Sequence, residues 1–234
     1  MKVAGTTRTQ RHRDAKGAGA NLIILGPQGS GKTTQAELLA KKFGFVLFIA
    51  GDVLREIAQG DSELGTTVRR TIVEGHLVQP ALISQVIKEK VATVPEDRGL
   101  ILDGYPRSLT QYELFKKFWP QTDRGDYRAV FVEVSEEEAV KRLTRRVTCI
   151  NCGAVYSEGA IEKCAKCSGR LVKRSDDTPA AIQTRLQSFY SETMPMIRAM
   201  EADGIVLHID GAPSIDEVHE KIVANLQLDP PATF

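Results

Sequence analysis

Four apolar residues, Leu22-Ile23-Ile24-Leu25, run straight into Gly26-Pro27-Gln28-Gly29-Ser30-Gly31-Lys32-Thr33. That string fits G-x-x-x-x-G-K-[ST], and the strand-like run before it and helical pattern after it supply the required strand-loop-helix setting. A loop of this kind turns backbone N–H groups inward around phosphate oxygens, and the following helix aims its positive end at the same point. Lys32 is placed to neutralise β/γ-phosphate charge, and Thr33 offers a hydroxyl to Mg²⁺. The rival reading, a glycine-rich turn that happens to precede a helix, leaves the coincidence of all three parts unexplained. The chain is therefore expected to bind a nucleoside triphosphate.

Within 234 residues the chain can be one large domain or one core carrying insertions. Hydrophobic content of 42% and charged content of 26% are ordinary for a globular protein, and a net charge of +1 gives no electrostatic case for a nucleic-acid or membrane surface. No apolar run approaches the roughly 20 residues that cross a bilayer, so a cytoplasmic protein is expected. Residues 1–20 carry Lys2, Arg8, Arg11, Arg13 and Lys16 against Asp14, with no apolar periodicity and no apolar stretch of a secretory signal. They read as a disordered basic arm or the product of an upstream start codon; an organelle presequence fits less well, for want of amphipathic character.

Strand-like runs recur at 22–25, 45–49, 100–102, 129–134 and 205–209, with helical patterns at 32–43, 80–94, 108–118, 135–146, 179–202 and 214–226. The short runs are nearly continuous in apolar residues, as strands covered on both faces should be. Alternation of strand and helix predicts an α/β fold with a five-stranded parallel sheet flanked by helices, and ligands at the carboxyl ends of its strands. Two stretches break the alternation. Residues 51–78 read as short helices without a strand, and residues 147–173 are rich in Cys, Gly and polar residues with no helical period. Both are expected to be insertions on the core.

All four cysteines fall in the second insertion, as Cys149-x₂-Cys152 and, eleven residues on, Cys164-x₂-Cys167. Two facing C-x-x-C knuckles are how a tetrahedral Zn²⁺ collects four thiolates, and Gly153 and Gly169 follow where tight turns are needed. The short gap predicts a small β-hairpin ribbon. Disulfides are the alternative, but no secretion signal supports them. Four thiolates leave no open position, so the ion is expected to be structural, with iron left open against zinc. The ribbon's charge (Lys163, Lys166, Arg170, Lys173 and Arg174 against Glu158 and Glu162) permits nucleic-acid contact without requiring it.

With these blocks in hand, the chain resembles the adenylate kinase family of nucleoside monophosphate kinases, in its zinc-lid form, from about residue 21 to 226. The blocks are the loop with Thr34 and Gln35, Gly51-Asp52-Val53-Leu54-Arg55, Gly75-His76-Leu77-Val78, and Leu102-Asp103-Gly104-Tyr105-Pro106-Arg107 with Gln111. They continue with Arg142-Leu143-Thr144-Arg145-Arg146-Val147, Arg174-Ser175-Asp176-Asp177 and Arg185. The resemblance implies a P-loop core at 21–48, 79–144 and 178–234, a helical monophosphate-binding lobe at 49–78 and a zinc lid at 145–177. It implies the reaction ATP + AMP ⇌ 2 ADP with Mg²⁺, in a monomer that engages neither nucleic acid nor membrane. In its terms Gly29, Ser30, Gly31, Lys32, Thr33 and Thr34 hold the donor phosphates, Arg142 and Arg145 are donor-side arginines, and Val155-Tyr156 touch the donor base. Arg55, Arg107, Arg174 and Arg185 gather the acceptor phosphate and the transferred group. Ala50, His76, Leu77, Val78 and Gly104 border the acceptor nucleotide, and Gln111 reads adenine.

The chemistry agrees independently of the family. Phosphoryl transfer needs positioning and charge neutralisation more than covalent help, and guanidinium forks grip phosphate oxygens bidentately. Asp103 ends a strand beside the loop strand, the place for a carboxylate that orients Mg²⁺ and its waters. Arg146 reads as a surface residue, His76 as a surface residue whose backbone matters, and His208 and Trp119 as packing or surface positions. Asp176 and Asp177 fit equally an acidic pair at a helix N-terminus or partners of the arginines. Two positions depart from the family's pattern: Ala50, where Thr or Ser is usual, and Thr33, where Gly is usual. The alternatives are a kinase for UMP, CMP or GMP, or a nucleotide-gated protein whose zinc ribbon contacts RNA or protein.

Overall fold

The computed structural model describes residues 20–174 and 176–228. The basic segment at 1–19 lies outside the described residues, as does the extreme C-terminus.

Five parallel strands form the central sheet: β1 (Asn21–Leu25), β2 (Val46–Ile49), β3 (Leu100–Asp103), β4 (Tyr127–Glu133) and, last in the chain, β8 (Val206–Asp210), in the order β2-β3-β1-β4-β8. All five residues of β1 are buried because side chains leave both faces of the sheet into apolar layers. Ile23 and Leu25 point to one layer, built with Ile83 and Ile87 of α4 (Pro80–Ala92), Phe115 of α5 (Leu109–Phe118) and Ile197 and Met200 of α8 (Met194–Ala202). Leu22 and Ile24 point to the other, with Leu39 of α1 (Lys32–Phe43) and Ile222 of α9 (Ile215–Leu226). The α/β sheet and its flanking helices follow the sequence expectation.

Between β2 and α4 stand α2 (Ala50–Gln59) and α3 (Glu63–Glu74), packed against one another. Ser62 caps α3 by accepting from the Gly65 N–H at 3.0 Å. The run expected as one helix over 135–146 divides: α6 spans Glu136–Thr144, and the chain then turns into β5 (Arg146–Cys149). With β6 (Val155–Ser157) and β7 (Leu171–Val172) it makes a separate antiparallel sheet, ordered β6-β5-β7. The expected helix over 179–202 is also divided, into α7 (Pro179–Ser188), a π-helical turn at Phe189–Thr193, and α8.

In the register of the main sheet, Ile24 of β1 lies beside Asp103 of β3. The carboxyl ends of β1 and β3 therefore place the glycine-rich loop and Asp103 side by side, where α/β sheets bind ligands.

Candidate active site

The loop after β1 wraps the N-terminus of α1. Gly29 has a φ of +86°, and a Cβ there would come within 2.7 Å of the Ala139 carbonyl on α6, so only glycine fits. Gly31 caps α1 with a φ of +88° and offers no side-chain cap, and the Lys32 N–H makes only a long bond to the Ser30 hydroxyl at 3.4 Å. This is a cradle for anions. Lys32 lies at its centre, with Nζ 3.3 Å from the Pro27 carbonyl. Burial lowers the Lys32 ammonium to about 8, against the opposing pull of Asp103. The amine is held in a place that waits for negative charge.

One cavity opens from this loop and is bordered by Lys32, Arg55, Arg107, Arg146, Arg174 and Arg185. Three of these guanidiniums converge on two carboxylates. Arg174 grips Asp176 with Nε and Nη2 at 3.0 and 2.9 Å, and Arg185 reaches Asp176 at 2.7 Å and Asp177 at 3.0 Å. Arg146 holds Asp177 bidentately at 2.7 and 2.5 Å. Burial pushes the Asp176 carboxyl up, but Arg174 and Arg185 outweigh it and hold it at about 2. Burial likewise lowers Arg107 and Arg55, each crowded by a neighbouring arginine. Arg55 is paired with Asp52. Cations outnumber acids around this cavity, so it favours polyanions.

Arg146, expected at the surface, is corrected by this geometry. Its side chain is only 17% exposed because the chain leaves the helix at Thr144, and as the first residue of β5 it points toward Asp177. Asp176 and Asp177 are partners of the arginines; Thr178 caps α7 in their stead, accepting from the Ala181 N–H at 3.2 Å. Gln28 also lines the cavity, with a buried Oε1 that has no partner among the described residues. Nothing in a loop pattern that leaves that position free signals it.

The same cavity is also lined by Ala50, Leu54, His76, Leu77, Val78 and Gln111. Gln111 is buried, and its Oε1 accepts the Arg107 N–H at 2.7 Å, so its NH₂ is the group left to face a ligand. Arg107 is fixed further by its Nε–H to the Gly104 carbonyl at 2.7 Å, and a Cβ on Gly104, whose φ is +74°, would come 2.5 Å from Arg107 Nη2. His76 is exposed, as expected, with the neighbouring Val78 buried. Trp119 is buried and donates to the Gly125 carbonyl at 2.8 Å, and His208 sits between Glu133 and Glu201, so both stay outside this chemistry.

Other expected donor residues lie elsewhere. Arg142, on α6, donates to Glu138 at 2.8 Å and to the carbonyls of Gly211 and Ala212 at 3.1 and 3.3 Å, and does not border this cavity. Arg145 is exposed where α6 ends. Gly29, Ser30, Gly31 and Thr34 belong to the loop and the first turn of α1 without lining the cavity; Val155 is exposed, and the Tyr156 hydroxyl lies 3.5 Å from Cys164 Sγ.

At the far end of the small sheet the four cysteines form a cluster whose Sγ atoms all lie within 4.8 Å of one another. The Cys149–Cys167 and Cys152–Cys164 separations are 3.5 Å each, far beyond a disulfide and close to the roughly 3.8 Å edge of a tetrahedron with Zn–S bonds of about 2.3 Å. The Tyr156 hydroxyl holds the Cys164 thiol down to about 6, and the Cys152 N–H, among others, lowers Cys149. Cys167 is raised, the Gly169 N–H being outweighed by hydrogen bonds with Cys149 and Cys152. A thiol set of this shape fits a four-coordinate soft or borderline metal. At the loop, the buried Asp103 carboxylate fits a hard cation: it accepts from the Thr33 hydroxyl through Oδ2, while Oδ1 has no partner among the described residues. No helix among the described residues is long and apolar enough to cross a membrane.

A family model for adenylate kinase matches residues 24–205. Among similar curated proteins, an adenylate kinase of Dehalococcoides mccartyi is 36% identical over 211 residues, covering 88% of this chain and 98% of that protein. An adenylate kinase of Archaeoglobus fulgidus is 36% identical over 212 residues with the same two shares, and one of Clostridium botulinum is 34% identical over 206 residues, covering 86% and 95%.

Proposed function

The chain belongs to the adenylate kinase family, and on that premise we propose that its cavity carries out the reversible transfer of a phosphoryl group from ATP to AMP, giving two ADP. The family makes the chain an enzyme, a nucleotide phosphotransferase. One observation carries the proposal. A single cavity gathers Lys32 and the loop together with Arg55, Arg107, Arg174 and Arg185 and the free amide of Gln111. A protein that merely bound one nucleotide would have no use for that second set of phosphate ligands.

The roles follow from charge and position. The loop N–H groups of Gly29, Ser30 and Gly31, with Lys32 and Thr34, hold the donor phosphates. Arg142 and Arg145 are donor-side cations, a role supported by the contact of Gly29 with Ala139 one turn earlier on Arg142's own helix. Val155 and Tyr156 border the donor base. Arg107, Arg174 and Arg185 neutralise charge on the group in flight, and Arg55 steadies the acceptor phosphate. The acceptor oxygen is already anionic, so no general base is needed. Asp176 and Asp177 hold the guanidiniums in place until phosphates compete for them, which keeps the cations preorganised. Ala50, His76, Leu77, Val78 and Gly104 border the acceptor nucleoside, and Gln111 donates to adenine.

Mg²⁺ accompanies ATP and would be held beside Asp103, where it supplies charge neutralisation between the β- and γ-phosphates. Zn²⁺ is the structural ion of Cys149, Cys152, Cys164 and Cys167. The body divides into core, a monophosphate lobe at 49–78 and a lid at 145–177 that excludes water. A cytoplasmic monomer completes the reading, its compartment supported by four cysteines without a disulfide, which suit a reducing environment.

A coupled assay for ADP with ATP and a panel of AMP, GMP, UMP and CMP tests this. ADP should form with AMP ahead of the others. Silence with all four removes the proposal, and a preference for another monophosphate removes AMP from it.

A further inference from the structure

Arg185 and Ser188 border the cavity from α7, and Phe189 and Thr193 border it from the π-helical turn that follows. At 3.6 residues per turn, an unbroken α-helix would set Glu192, seven residues after Arg185, about 20° from the Arg185 face. The same helix would swing Thr193 about 80° away from it. The wider turn, closed by the Met194 N–H on the Phe189 carbonyl five residues back, takes up the extra residue. Thr193 therefore shares the face of Arg185 and is 4% exposed, while Glu192 stays outside in water. A carboxylate on that face would oppose the phosphates that the cavity's cations favour, and a hydroxyl does not.

The Thr193 hydroxyl donates to the Arg107 carbonyl at 2.8 Å, across 86 positions of sequence. Arg107 is held at two further points, its N–H by Gln111 Oε1 and its Nε–H by the Gly104 carbonyl, both at 2.7 Å. Those two holds come from its own loop and from α5 just after it. Thr193 instead ties Arg107 to the helical segment that carries Arg185. It thereby fixes the spacing of two guanidiniums that serve one phosphoryl group.

We propose that Thr193, placed by the π-helical turn, is a positioning residue for phosphoryl transfer that sets Arg107 relative to Arg185. It acts through Arg107, not on the substrate. A rival task for the hydroxyl is to join helix and loop for stability alone. The two differ in the turnover of the folded variant, and in whether the effect needs Arg107.

The proposal rests on the phosphotransferase reading of the cavity, and its test keeps the two apart. Thr193→Val and Thr193→Ala remove the hydroxyl, the first at nearly constant shape, and Thr193→Ser retains it. Initial rates of ADP formation from ATP and AMP should show kcat about 10- to 100-fold lower without the hydroxyl, the scale of misplacing a catalytic group by about 1 Å. KM for ATP should stay within about twofold of wild type, and the serine variant should recover kcat to within about threefold. In an Arg107→Met background, Thr193→Val should change kcat by less than about twofold, because residues that act as one unit are not additive. Calorimetric melting of each variant separates loss of fold from loss of rate. Wild-type kcat in both hydroxyl-free variants overturns the positioning role, and so does an equal cost of Thr193→Val with and without Arg107. Melting of both hydroxyl-free variants below the assay temperature assigns the hydroxyl to stability and overturns it as well. Should wild type form no ADP with any monophosphate, the reading of the cavity fails and this proposal with it.

Discussion

The parallel-sheet core and the cysteine-bearing sheet of the lid are ordered by different physics. In the core, every residue of β1 is buried, and each aliphatic side chain removed from water contributes about 1.5–3 kcal/mol. In the lid the corresponding cluster is Cys149, Ala154 and Cys164, with only Tyr156 and Leu171 packed against it. A cluster that small cannot offset the entropy of ordering its strands. The core therefore draws chiefly on apolar burial, whereas the small sheet has too few apolar contacts to hold itself and carries instead the four-cysteine cluster and the ionic links at its root. The candidate site lies across the seam, with Lys32 from the core and Arg146 from the small sheet bordering the same cavity.

Removing the loop cation probes the core side of that contrast most severely. Lys32→Met should lower kcat/KM by about a thousandfold or more, the scale of losing a preorganised charge at a developing anion. The same change should leave the melting temperature equal or higher, because the ammonium is held at a cost of desolvation. Steady-state kinetics and calorimetric melting of one preparation check both halves, and a variant with near-normal turnover would break the assignment of Lys32.

On the lid side, Cys164→Ser or exhaustive chelation should lower the melting temperature by roughly 10 °C, taking about 3 kcal/mol at 2–4 °C per kcal/mol for a chain of this size. The effect reaches the core because β5 carries Arg146, whose bond to Asp177 joins the network of Arg174 and Arg185. Binding of an ATP analogue should persist, since the phosphate loop is built without the lid and only Arg145 and the base contacts of Val155 and Tyr156 lie within it. Metal analysis should find one zinc per chain before chelation. Equal melting with and without chelator removes the structural ion.

These two regions were also unequally legible in the sequence. The strands of the core announce themselves as unbroken apolar runs because both faces of the sheet are covered, and the cysteines by spacing alone. The string Arg142-Leu143-Thr144-Arg145-Arg146 keeps a helical look through its end, however, so periodicity cannot tell that α6 stops at Thr144 and turns Arg146 inward. The partner of Arg146 lies 31 positions away, and an ion pair at that separation leaves no local signature. For the same reason Asp176 and Asp177 read equally as a helix-terminal pair until the fold brings three guanidiniums onto them. The π-helical turn at Phe189–Thr193 was hidden by an apolar pattern that passes through it unbroken.

Acid sharpens the comparison by attacking the seam itself. Asp176 is held at about 2 in the fold against its ordinary 3.8. A depressed carboxylate contributes stability above its unfolded pKa and loses it as pH falls through the folded value. Its contribution, roughly 2 kcal/mol at 1.4 kcal/mol per pKa unit, should be complete above about pH 4 and gone near pH 2. Urea unfolding at pH 5, 4, 3 and 2 should show wild type losing about that much more than Asp176→Asn. Parallel slopes in the two proteins would mean that the guanidiniums do not hold this carboxylate.

The smallest effect concerns the acceptor wall, where the core meets the helical lobe. Ala50 opens α2, is 3% exposed, and presents only a methyl group to the cavity that Gln111 reaches with its amide. A hydroxyl placed there adds one hydrogen-bonding group beside the nucleobase without adding bulk beyond a single oxygen. Ala50→Ser should therefore raise the ratio of kcat/KM for AMP over GMP by about fivefold, the equivalent of one hydrogen bond near 1 kcal/mol. Since serine can bond to either base, the sign carries the information. A rise means that the wall discriminates through position 50, and that the natural alanine leaves selectivity to Gln111. An unchanged ratio means that the base lies against Leu77 and Val78, out of reach of α2, and that the acceptor is read from one side of the cavity only.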